Sequence, residues 1–389
     1  SLPIGASVVS TQEKTLVPGL AGIPASESAV SYIDGQAGVL EYRGYPIADL
    51  AANSTFEEVV FLLWNGRLPN GEELADLRQA MAAKRAVPAE VLELIRAFPK
   101  DGHPMDALQA AVSLMGMFDA EGRKWKDPEV AKDICMGLVA TMPTLVAAFD
   151  RSRRGLDIVD YDPSLDTAAN FLWMINGEKP DEIAARTLDV GLTLHAEHTM
   201  NASTFSSRVV GSTLADPYTV ISSAIGTLSG PLHGGANERV LDSLAEIPSA
   251  EEVPAWLDAK FASGGKVMGF GHRVYSVKDP RAHNLQGLVR QVFEKLGSTP
   301  IYDVALELEK EMEQRVGAKG IWPNVDFFSG IVYQKLGIAT DLFTPVFAIS
   351  RVSGWLAHWM EQMQDNRIFR PGQIYVGTHG HEYVPIDER

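Results

Sequence analysis

The chain has 389 residues, 46% of them hydrophobic. It exceeds the ~250–300 residues at which one hydrophobic core usually stops growing, so we expect two domains. Its 34 Lys and Arg against 50 Asp and Glu give a net charge of −16, which argues against nucleic acid or an anionic membrane as the main partner. A single cysteine, Cys135, excludes an intramolecular disulfide and a zinc site built from several thiolates, and its apolar, helical surroundings predict a buried, inert thiol.

The first twenty residues lack the basic start and the continuous apolar stretch of a signal peptide. No window of the sequence reaches the ~18 consecutive apolar residues of a membrane span. These patterns predict a soluble, cytoplasmic protein.

The first regular elements are expected in VSYIDGQAGVLEY, residues 30–42. Its turn residues separate two short strands, and no other segment shows a comparable strand signal. Ser54 and Glu57 then have the spacing of a capping box, which predicts a helix that ends at Gly66. Asn70 and Glu73 repeat the same spacing and predict the start of the next helix.

Helical signals continue through the rest of the chain. Asp127 followed by Pro128 predicts a helix start, and Pro143 should kink or break that helix. Further helices are expected over residues 180–199 and 217–228, the second of them almost wholly apolar and therefore buried. The fold class is thus mainly α.

A buried helix ends at the glycine-rich turn of Gly230, which predicts a domain boundary there. The chain would return to the first domain near Gly337. We therefore predict a large helical domain made of residues 1–230 and 337–389. Residues 231–336 would form a smaller domain with three or four helices.

Two histidines, His195 and His198, stand three apart in HAEH on the helix expected over residues 180–199. HAEH is one residue short of both the H-E-x-x-H and H-x-x-E-H zinc patterns, so no metal site is predicted. From spacing alone, a hydrogen-bonded pair of core histidines is the preferred interpretation.

Two other histidines are flanked by glycine, His233 in GPLHGGANE and His272 in GFGHRVY. Asn237 and Asp279-Pro280 are suitable starts for the helices that follow them. Glycine lets a backbone approach a ligand closely, and a helix N-terminus favours a neutral imidazole. Such a histidine can donate a hydrogen bond to an oxygen on which negative charge develops. Either one alone could be an ordinary loop histidine. Two histidines in the same setting favour a catalytic role.

Three arginines suggest an anionic ligand. Arg281 is expected as the second residue of its helix, where a cation is unfavourable without an anion nearby. Arg351 lies in an apolar helix, and Arg370 follows just beyond it. Together they suggest a small polycarboxylate held by paired hydrogen bonds. Internal salt bridges are the alternative in a chain with 50 acids.

Asp326 lies in WPNVDFFSG, directly after the expected cap Asn324. The helix start should keep the carboxylate ionised while its apolar neighbours remove water, which would make it reactive. The alternative is an ordinary N-terminal acid that contributes ~0.3–1 kcal/mol to the helix.

Seven segments together resemble the citrate synthase family, in the family's order and from about Gly19 to the C-terminus. They are IDGQAGVLEYRGYPI, LHAEHTMNAST, GPLHGGANE, VMGFGHRVYSVKDPRA, WPNVDFFSG, FAISRVSGWLAHW and RPGQIYVG. The resemblance implies a mainly α homodimer of the tricarboxylic acid cycle, whose smaller domain closes over acetyl-CoA and oxaloacetate. It implies no cofactor beyond the CoA thioester substrate and no metal.

The resemblance also implies roles for matching residues. Asp326 would remove a methyl proton of acetyl-CoA, His233 would stabilise the enol or enolate, and His272 would polarise the ketone of oxaloacetate and protonate the new alkoxide. The oxaloacetate carboxylates would be held by His198, Arg281 and Arg351, with Arg370 reaching into the partner's site, while His195 would be supporting.

The CoA adenine would lie against the backbone of Val267, Met268, Gly269 and Gly271. Ser276 departs from family members that carry a basic residue near the CoA phosphates, which leaves those contacts open. Three other interpretations remain: a 2-methylcitrate synthase acting on propionyl-CoA and, from different classes, a metal-dependent hydrolase and a non-catalytic helical scaffold.

Overall fold

The computed structural model describes residues 15–389, and within them the regular secondary structure is almost entirely helical. Three antiparallel strands form one small sheet in the order β1 (Ser31–Asp34), β2 (Val39–Tyr42) and β3 (Tyr45–Pro46). The helices are α1 (Ile47–Asn53), α2 (Phe56–Asn65), α3 (Gly71–Ala83), α4 (Ala89–Ala97), α5 (Pro104–Met117), α6 (Pro128–Arg153), α7 (Thr167–Asn176), α8 (Glu182–His195), α9 (Ala202–Ser212), α10 (Pro217–Leu228), α11 (Ala236–Ala245), α12 (Val253–Ala262), α13 (Ala282–Leu296), α14 (Pro300–Val316), α15 (Val325–Lys335) and α16 (Phe343–Gln364). The mainly α prediction is confirmed.

Strands β1 and β2 form the hairpin expected from residues 30–42, with Asp34 paired to Val39. Asp34 Oδ1 accepts hydrogen bonds from the backbone N–H groups of Gln36 and Ala37, both at 3.0 Å. Gly38 adopts a positive φ of 68°, a conformation that glycine reaches without steric cost. The local turn chemistry therefore fixes this hairpin.

The predicted start of α3 is confirmed, because Asn70 and Glu73 form a reciprocal capping box. The capping box predicted at Ser54 is wrong. Thr55 caps α2, while the buried Glu57 accepts hydrogen bonds from the backbone N–H and hydroxyl of Thr167. A tertiary contact thus outweighs the local cap. Gly66 ends α2 in the left-handed conformation, as expected.

Helix α6 continues through Pro143, so the predicted break is wrong. Most of this helix is buried against α4, α5, α7 and α16, and tertiary packing of this kind supplies most helix stability in proteins. By length and composition α6 could also cross a membrane, contrary to the expectation from the sequence, but 72% of its apolar window is buried inside the protein, as in a core helix. Cys135 on α6 is buried, and burial raises the pKa of its thiol to about 12, which confirms an inert thiol.

Helix α10 has the predicted bounds, but α8 ends at His195 rather than at Thr199. Thr199 has a left-handed φ of 55°, and its N–H donates to the buried side chain of Glu197 at 3.1 Å. The two histidines of HAEH therefore do not share a helical face. His195 is the last residue of α8, and His198 lies in the turn beyond it.

The helices pack as two groups. The long, buried α16 packs against α2, α6, α8, α9 and α10, whereas α11 to α15 pack mainly on one another and meet the first group through α13, which contacts α8 and α1. Residues 231–336 thus contain five α-helices instead of three or four. The division at Gly230 and Gly337 remains a prediction.

Candidate active site

A cleft of about 750 Å³ lies where the two helix groups meet. It brings together nearly all of the predicted site residues, which come from distant parts of the sequence. The predicted residues that line it are His198, His233, Val267, Met268, Gly269, Gly271, His272, Arg281, Asp326 and Arg351. Arg370 is exposed and does not line the cleft of its own chain.

The glycines around His233 hold a tight turn. The N–H of His233 donates to Gly230 O at 2.9 Å, and the N–H of Gly234 donates to Leu228 O at 3.0 Å. A Cβ on Gly234 would collide with that same Leu228 carbonyl. Gly235 has a φ of 79° and is the N-cap residue of α11, so Asn237 lies inside the helix and is not its cap. Glycine is needed here because the turn packs directly on the end of α10.

The environment of His233 fixes its protonation. Burial and, to a smaller extent, the charge of Arg351 lower its pKa to about 4. The N–H of Ser203, at the start of α9, points at Nε2 from 3.3 Å, and the Ser203 hydroxyl lies 2.7 Å from the same atom. Because a backbone N–H can only donate, Nε2 is the acceptor and the proton of the neutral ring is on Nδ1.

His272 is fixed in the opposite tautomer. Its Nδ1 accepts from the backbone N–H groups of Val274 and Tyr275 at 2.9 and 3.3 Å, which leaves the proton on Nε2. Burial, followed by Arg281, lowers its pKa to about 4. Nη2 of Arg281 lies 3.1 Å from Nε2. A guanidinium can only donate, so with the proton on Nε2 the two nitrogens do not bond to each other, and both are N–H donors beside the cleft. Such a pair is suited to a shared oxygen acceptor.

Three hydrogen bonds connect the loop that carries His272 to the start of α15. The N–H of Gly271 donates to Trp322 O at 2.9 Å, the N–H of Asn324 donates to Gly269 O at 2.8 Å, and Asn324 Nδ2 donates to Gly271 O at 2.8 Å. The Asn324 side chain also caps α15 by accepting from the N–H groups of Asp326 and Phe327. This loop and the helix start that presents Asp326 are therefore one connected unit.

Asp326 is in the first turn of α15, as predicted, and its partly buried carboxylate has no hydrogen-bond partner within residues 15–389. Burial raises its pKa to about 6, although Arg281 acts in the opposite direction. Loss of water therefore outweighs the helix start, contrary to the balance expected from sequence. The carboxylate is still mostly ionised at neutral pH and is more basic than an ordinary aspartate.

Arg281 and Arg351 are both buried. Arg281 is the N-cap residue of α13 and not its second residue, and it pairs with the buried Asp279 through two contacts of 3.1 Å, so the salt-bridge alternative holds for it in part. Arg351 has no such carboxylate partner in the described chain. Its Nε donates to His195 O at 2.7 Å, and its guanidinium stacks on Phe347 at 4.7 Å.

The terminal nitrogens of Arg351 are left for a ligand. Burial lowers the pKa of this guanidinium to about 10, while Glu197 acts to raise it. A buried cation is costly unless it is paired, so the cleft is built to receive an anion at this point.

The two histidines of HAEH have different surroundings. His195 does not line the cleft: its Nδ1 donates to Gly191 O at 2.7 Å, and burial lowers its pKa to about 3. His198 does line the cleft, and its Nε2 lies 2.8 Å from the Tyr275 hydroxyl. The core interpretation therefore fits His195 alone.

The lining of the cleft is strongly cationic although the chain carries a net charge of −16. Asp326 is the single acid among the lining residues, against five basic side chains: Arg239, Lys266, Arg273, Arg281 and Arg351. The sequence interpretation missed the first three, although Arg273 follows His272 directly. It also missed Ser203 and the cleft-side role of Asn324, whose partners are distant in sequence. Within residues 15–389 no group of three or more His, Cys, Asp or Glu could hold a metal ion.

Comparison with known proteins agrees with this helical fold. Residues 19–372 match the family model "Citrate synthase, C-terminal domain". Citrate synthase from Synechocystis is 52% identical, covering 97% of this chain and 95% of that one, and 2-methylcitrate synthase 2 from Corynebacterium glutamicum is 39% identical, covering 95% and 97%.

Solved structures extend the similarity to the fold. A citrate synthase from Pyrobaculum aerophilum superposes with a TM-score of 0.91 at 41% identity, covering 96% of this chain and 95% of that one. A second, from Thermoplasma acidophilum in a ternary complex with carboxymethyl coenzyme A and oxaloacetate, gives a TM-score of 0.88 at 33% identity, covering 96% of this chain and 100% of that one. The fold and sequence thus define an enzyme of the transferase class. The chain belongs to the citrate synthase family.

Proposed function

We propose that this enzyme condenses acetyl-CoA with oxaloacetate and then hydrolyses the thioester, giving citrate and CoA. The observation that carries the proposal is the meeting, in one cationic cleft, of a carboxylate of raised pKa, two neutral histidines with opposite tautomers and a buried arginine without a carboxylate partner. A carbon–carbon condensation next to a thioester needs a base, donors for two oxygens and a site for carboxylates.

The first step is enolisation. Asp326 takes a proton from the methyl group of acetyl-CoA, and the electrons of that C–H bond move toward the thioester oxygen. His233 donates a hydrogen bond from Nδ1 to this oxygen. A neutral imidazole is suited to the role because it stabilises developing charge without first giving up its own proton.

The second step forms the bond. The enol carbon attacks the ketone carbon of oxaloacetate, and the ketone oxygen becomes an alkoxide. The Nε2 of His272 and the Nη2 of Arg281 lie 3.1 Å apart, and we place that oxygen where it can accept from both. His272 then transfers its Nε2 proton to the alkoxide. Arg351, Arg281 and His198 hold the substrate carboxylates.

We assign the remaining cations to coenzyme A. The backbone of Val267, Met268, Gly269 and Gly271 would face the adenine, as the family resemblance implies. Gly269 has a φ of 87°, and a Cβ there would lie 2.9 Å from Phe327 Cβ, so the loop needs glycine for a close approach. Arg239, Lys266 and Arg273 line the same cleft and supply charge for phosphates, a function that the exposed Ser276 cannot serve.

Assembly as a homodimer is part of the proposal. Arg370 is exposed and outside the cleft of its own chain, which is consistent with service in a partner's site. The segment after it exposes an unusual set of apolar side chains, namely Ile374, Tyr375, Val376, Tyr383 and Ile386. Contiguous exposed apolar surface commonly marks an interface. The cytoplasmic location remains a prediction.

Closure of residues 231–336 over the substrates is also proposed. The loop beyond His272 touches the β1–β2 hairpin, where the N–H of Ser276 donates to Gly35 O at 2.9 Å. Breaking this contact would open the cleft, and a dicarboxylate bridging both helix groups would favour closing it. Small-angle scattering should show contraction on adding oxaloacetate; an unchanged radius of gyration with binding proven by calorimetry counts against closure.

A 2-methylcitrate synthase is the second candidate, favoured by the similarity to the Corynebacterium glutamicum enzyme. The acyl groups differ by one methylene, worth only ~1–3 kcal/mol in a pocket. The ratio of kcat/KM for acetyl-CoA and propionyl-CoA decides between them. Oxaloacetate-dependent release of the CoA thiol, with citrate identified as product, tests the proposal as a whole. Its absence contradicts the proposal, and loss of activity on adding chelator would favour a metal-dependent hydrolase.

A further inference from the structure

Tyr275 contacts both histidines that face the oxaloacetate end of the cleft. Its ring centroid lies 4.7 Å from that of His272 and 5.7 Å from that of His198. Its backbone N–H donates to His272 Nδ1, and its hydroxyl lies 2.8 Å from His198 Nε2. The residue is only 3% exposed, so water does not compete for the hydroxyl. No role follows for this tyrosine from the chemistry described above.

The direction of the hydroxyl hydrogen bond follows from the protonation of its partners. Burial, then Arg281 and Arg351, lower the pKa of His198 well below its usual range, so its ring is neutral and carries one proton. Burial also raises the pKa of Tyr275, so the phenol keeps its proton. With Nε2 occupied by the hydroxyl, Nδ1 is the nitrogen of His198 left for a ligand.

A ligand held by two guanidinium groups presents oxygen acceptors. His198 assists it only if Nδ1 carries the proton, because an unprotonated Nδ1 would face the ligand oxygens with a lone pair. That tautomer requires Nε2 to accept, and the hydroxyl of Tyr275 is placed to donate to it.

We propose that Tyr275 is a positioning residue: its hydroxyl donates to His198 Nε2 and holds the His198 proton on Nδ1, where it binds a carboxylate oxygen of oxaloacetate. The inference rests on the proposed function. Tyr275 belongs to the same loop as His272, whereas His198 follows α8, so this one bond joins the ketone-facing loop to the carboxylate-facing turn.

Tyr275→Phe removes the hydroxyl and keeps the ring and the backbone N–H. The dissociation constant for oxaloacetate, measured by calorimetry, should rise about three- to tenfold, the loss expected for one neutral hydrogen bond. At saturating oxaloacetate, kcat should stay within about twofold of wild type, because the variant leaves the base and the ketone donors in place.

Tyr218→Phe is the matched control. It also removes the hydroxyl of one buried tyrosine, which donates to Asp119 at 2.7 Å. Tyr218 and Asp119 do not line the active-site cleft. Its oxaloacetate affinity should equal that of wild type. Equal losses of affinity in the two variants would indicate general loosening and overturn the positioning role.

Histidine ¹⁵N NMR reads the tautomer directly. In wild type, the His198 signals, identified by their loss in His198→Gln, should show a protonated Nδ1 and an acceptor Nε2. The Nε2 signal should shift in Tyr275→Phe. If wild-type His198 is protonated on Nε2, the inference is wrong, and this result does not depend on the folding of Tyr275→Phe.

Different results would contradict the proposed function and the role of Tyr275. Absence of oxaloacetate binding by wild type contradicts the proposed function. Normal binding by wild type, with Tyr275→Phe unchanged in affinity and in its His198 spectrum, overturns only the role of Tyr275.

Discussion

Asn324 donates a side-chain hydrogen bond to the carbonyl oxygen of Gly271 at 2.8 Å. The same side chain caps α15. Together with two backbone hydrogen bonds, this amide joins the helix that presents the carboxylate of Asp326 to the loop that presents the imidazole of His272. The distance between base and donor is thus set in part by a residue that performs no chemistry itself.

Replacing Asn324 with Ala should lower both stability and activity. Loss of an N-cap costs about 0.5–2 kcal/mol in the free energy of unfolding, and the loop is also released from the helix. Asn70→Ala is the control, since Asn70 also caps a helix, α3, through its side chain but lies outside the cleft. Thermal or urea unfolding should show similar losses for the two, while kcat should fall only for Asn324→Ala. Equal kcat in both variants would contradict a role in placing Asp326 and His272.

The hydroxyl of Ser203 should matter for the enolisation step through His233. Ser203→Ala keeps the backbone N–H at 3.3 Å but removes the hydroxyl 2.7 Å from Nε2. We expect kcat to fall about three- to tenfold, the value of one hydrogen bond, with oxaloacetate affinity unchanged. Ser207→Ala, one turn later on α9, removes a buried hydroxyl that donates to Ser203 O. If kcat falls as far in Ser207→Ala as in Ser203→Ala, the loss comes from a disturbed α9 and not from the contact with His233.

The pH dependence of kcat/KM for acetyl-CoA should show one acidic limb near pH 6. Asp326 works as a base only when ionised, and burial raises its pKa to about 6, so activity falls as pH falls through that value. The pKa values of His233 and His272 are lowered to about 4, so both stay neutral at pH 6 and add no limb there. A profile flat down to pH 5, measured at saturating oxaloacetate, would disagree with this assignment.

Mixed dimers test the position of Arg370. Arg370→Ala and His272→Ala dimers should each be nearly inactive. After exchange of subunits, each mixed dimer contains one site free of both changes if Arg370 serves the partner, and activity should return. If exchange is proven by mass spectrometry and activity does not return, Arg370 acts elsewhere.

Local patterns in the sequence predicted elements whose signals are themselves local. The capping box at Asn70, the hairpin at residues 30–42 and the bounds of α10 all depend on neighbouring residues. The failures have distant causes. Glu57 does not cap its helix because it accepts a hydrogen bond from Thr167, 110 residues along the chain. Helix α8 ends at His195, and the N–H of Thr199 bonds instead to the side chain of the buried Glu197.

The candidate site divides in the same way. The glycine-flanked histidines His233 and His272 and the acid after a cap, Asp326, are visible in the sequence. The structure places all three in one cleft. That Arg351 and His198 line one cleft could not be read from spacing, because Arg351 is on α16 and His198 is in the turn after α8, and the two meet only through packing. The family resemblance supplied this convergence. Neither approach found Ser203, Tyr275 or Asn324 as partners, since their contacts exist only in the fold.

Asp326→Asn tests the central claim most directly. The change keeps size but removes the proton acceptor, and a positioned general base is typically worth ~10²–10⁴ in rate. We expect kcat for condensation of acetyl-CoA with oxaloacetate to fall by about that factor, with circular dichroism and oxaloacetate affinity nearly unchanged. Hydrolysis of pre-formed citryl-CoA should be impaired less, because it does not need the first deprotonation. A folded Asp326→Asn enzyme whose kcat is within about tenfold of wild type would contradict the account, because Asp326 would then not be the base.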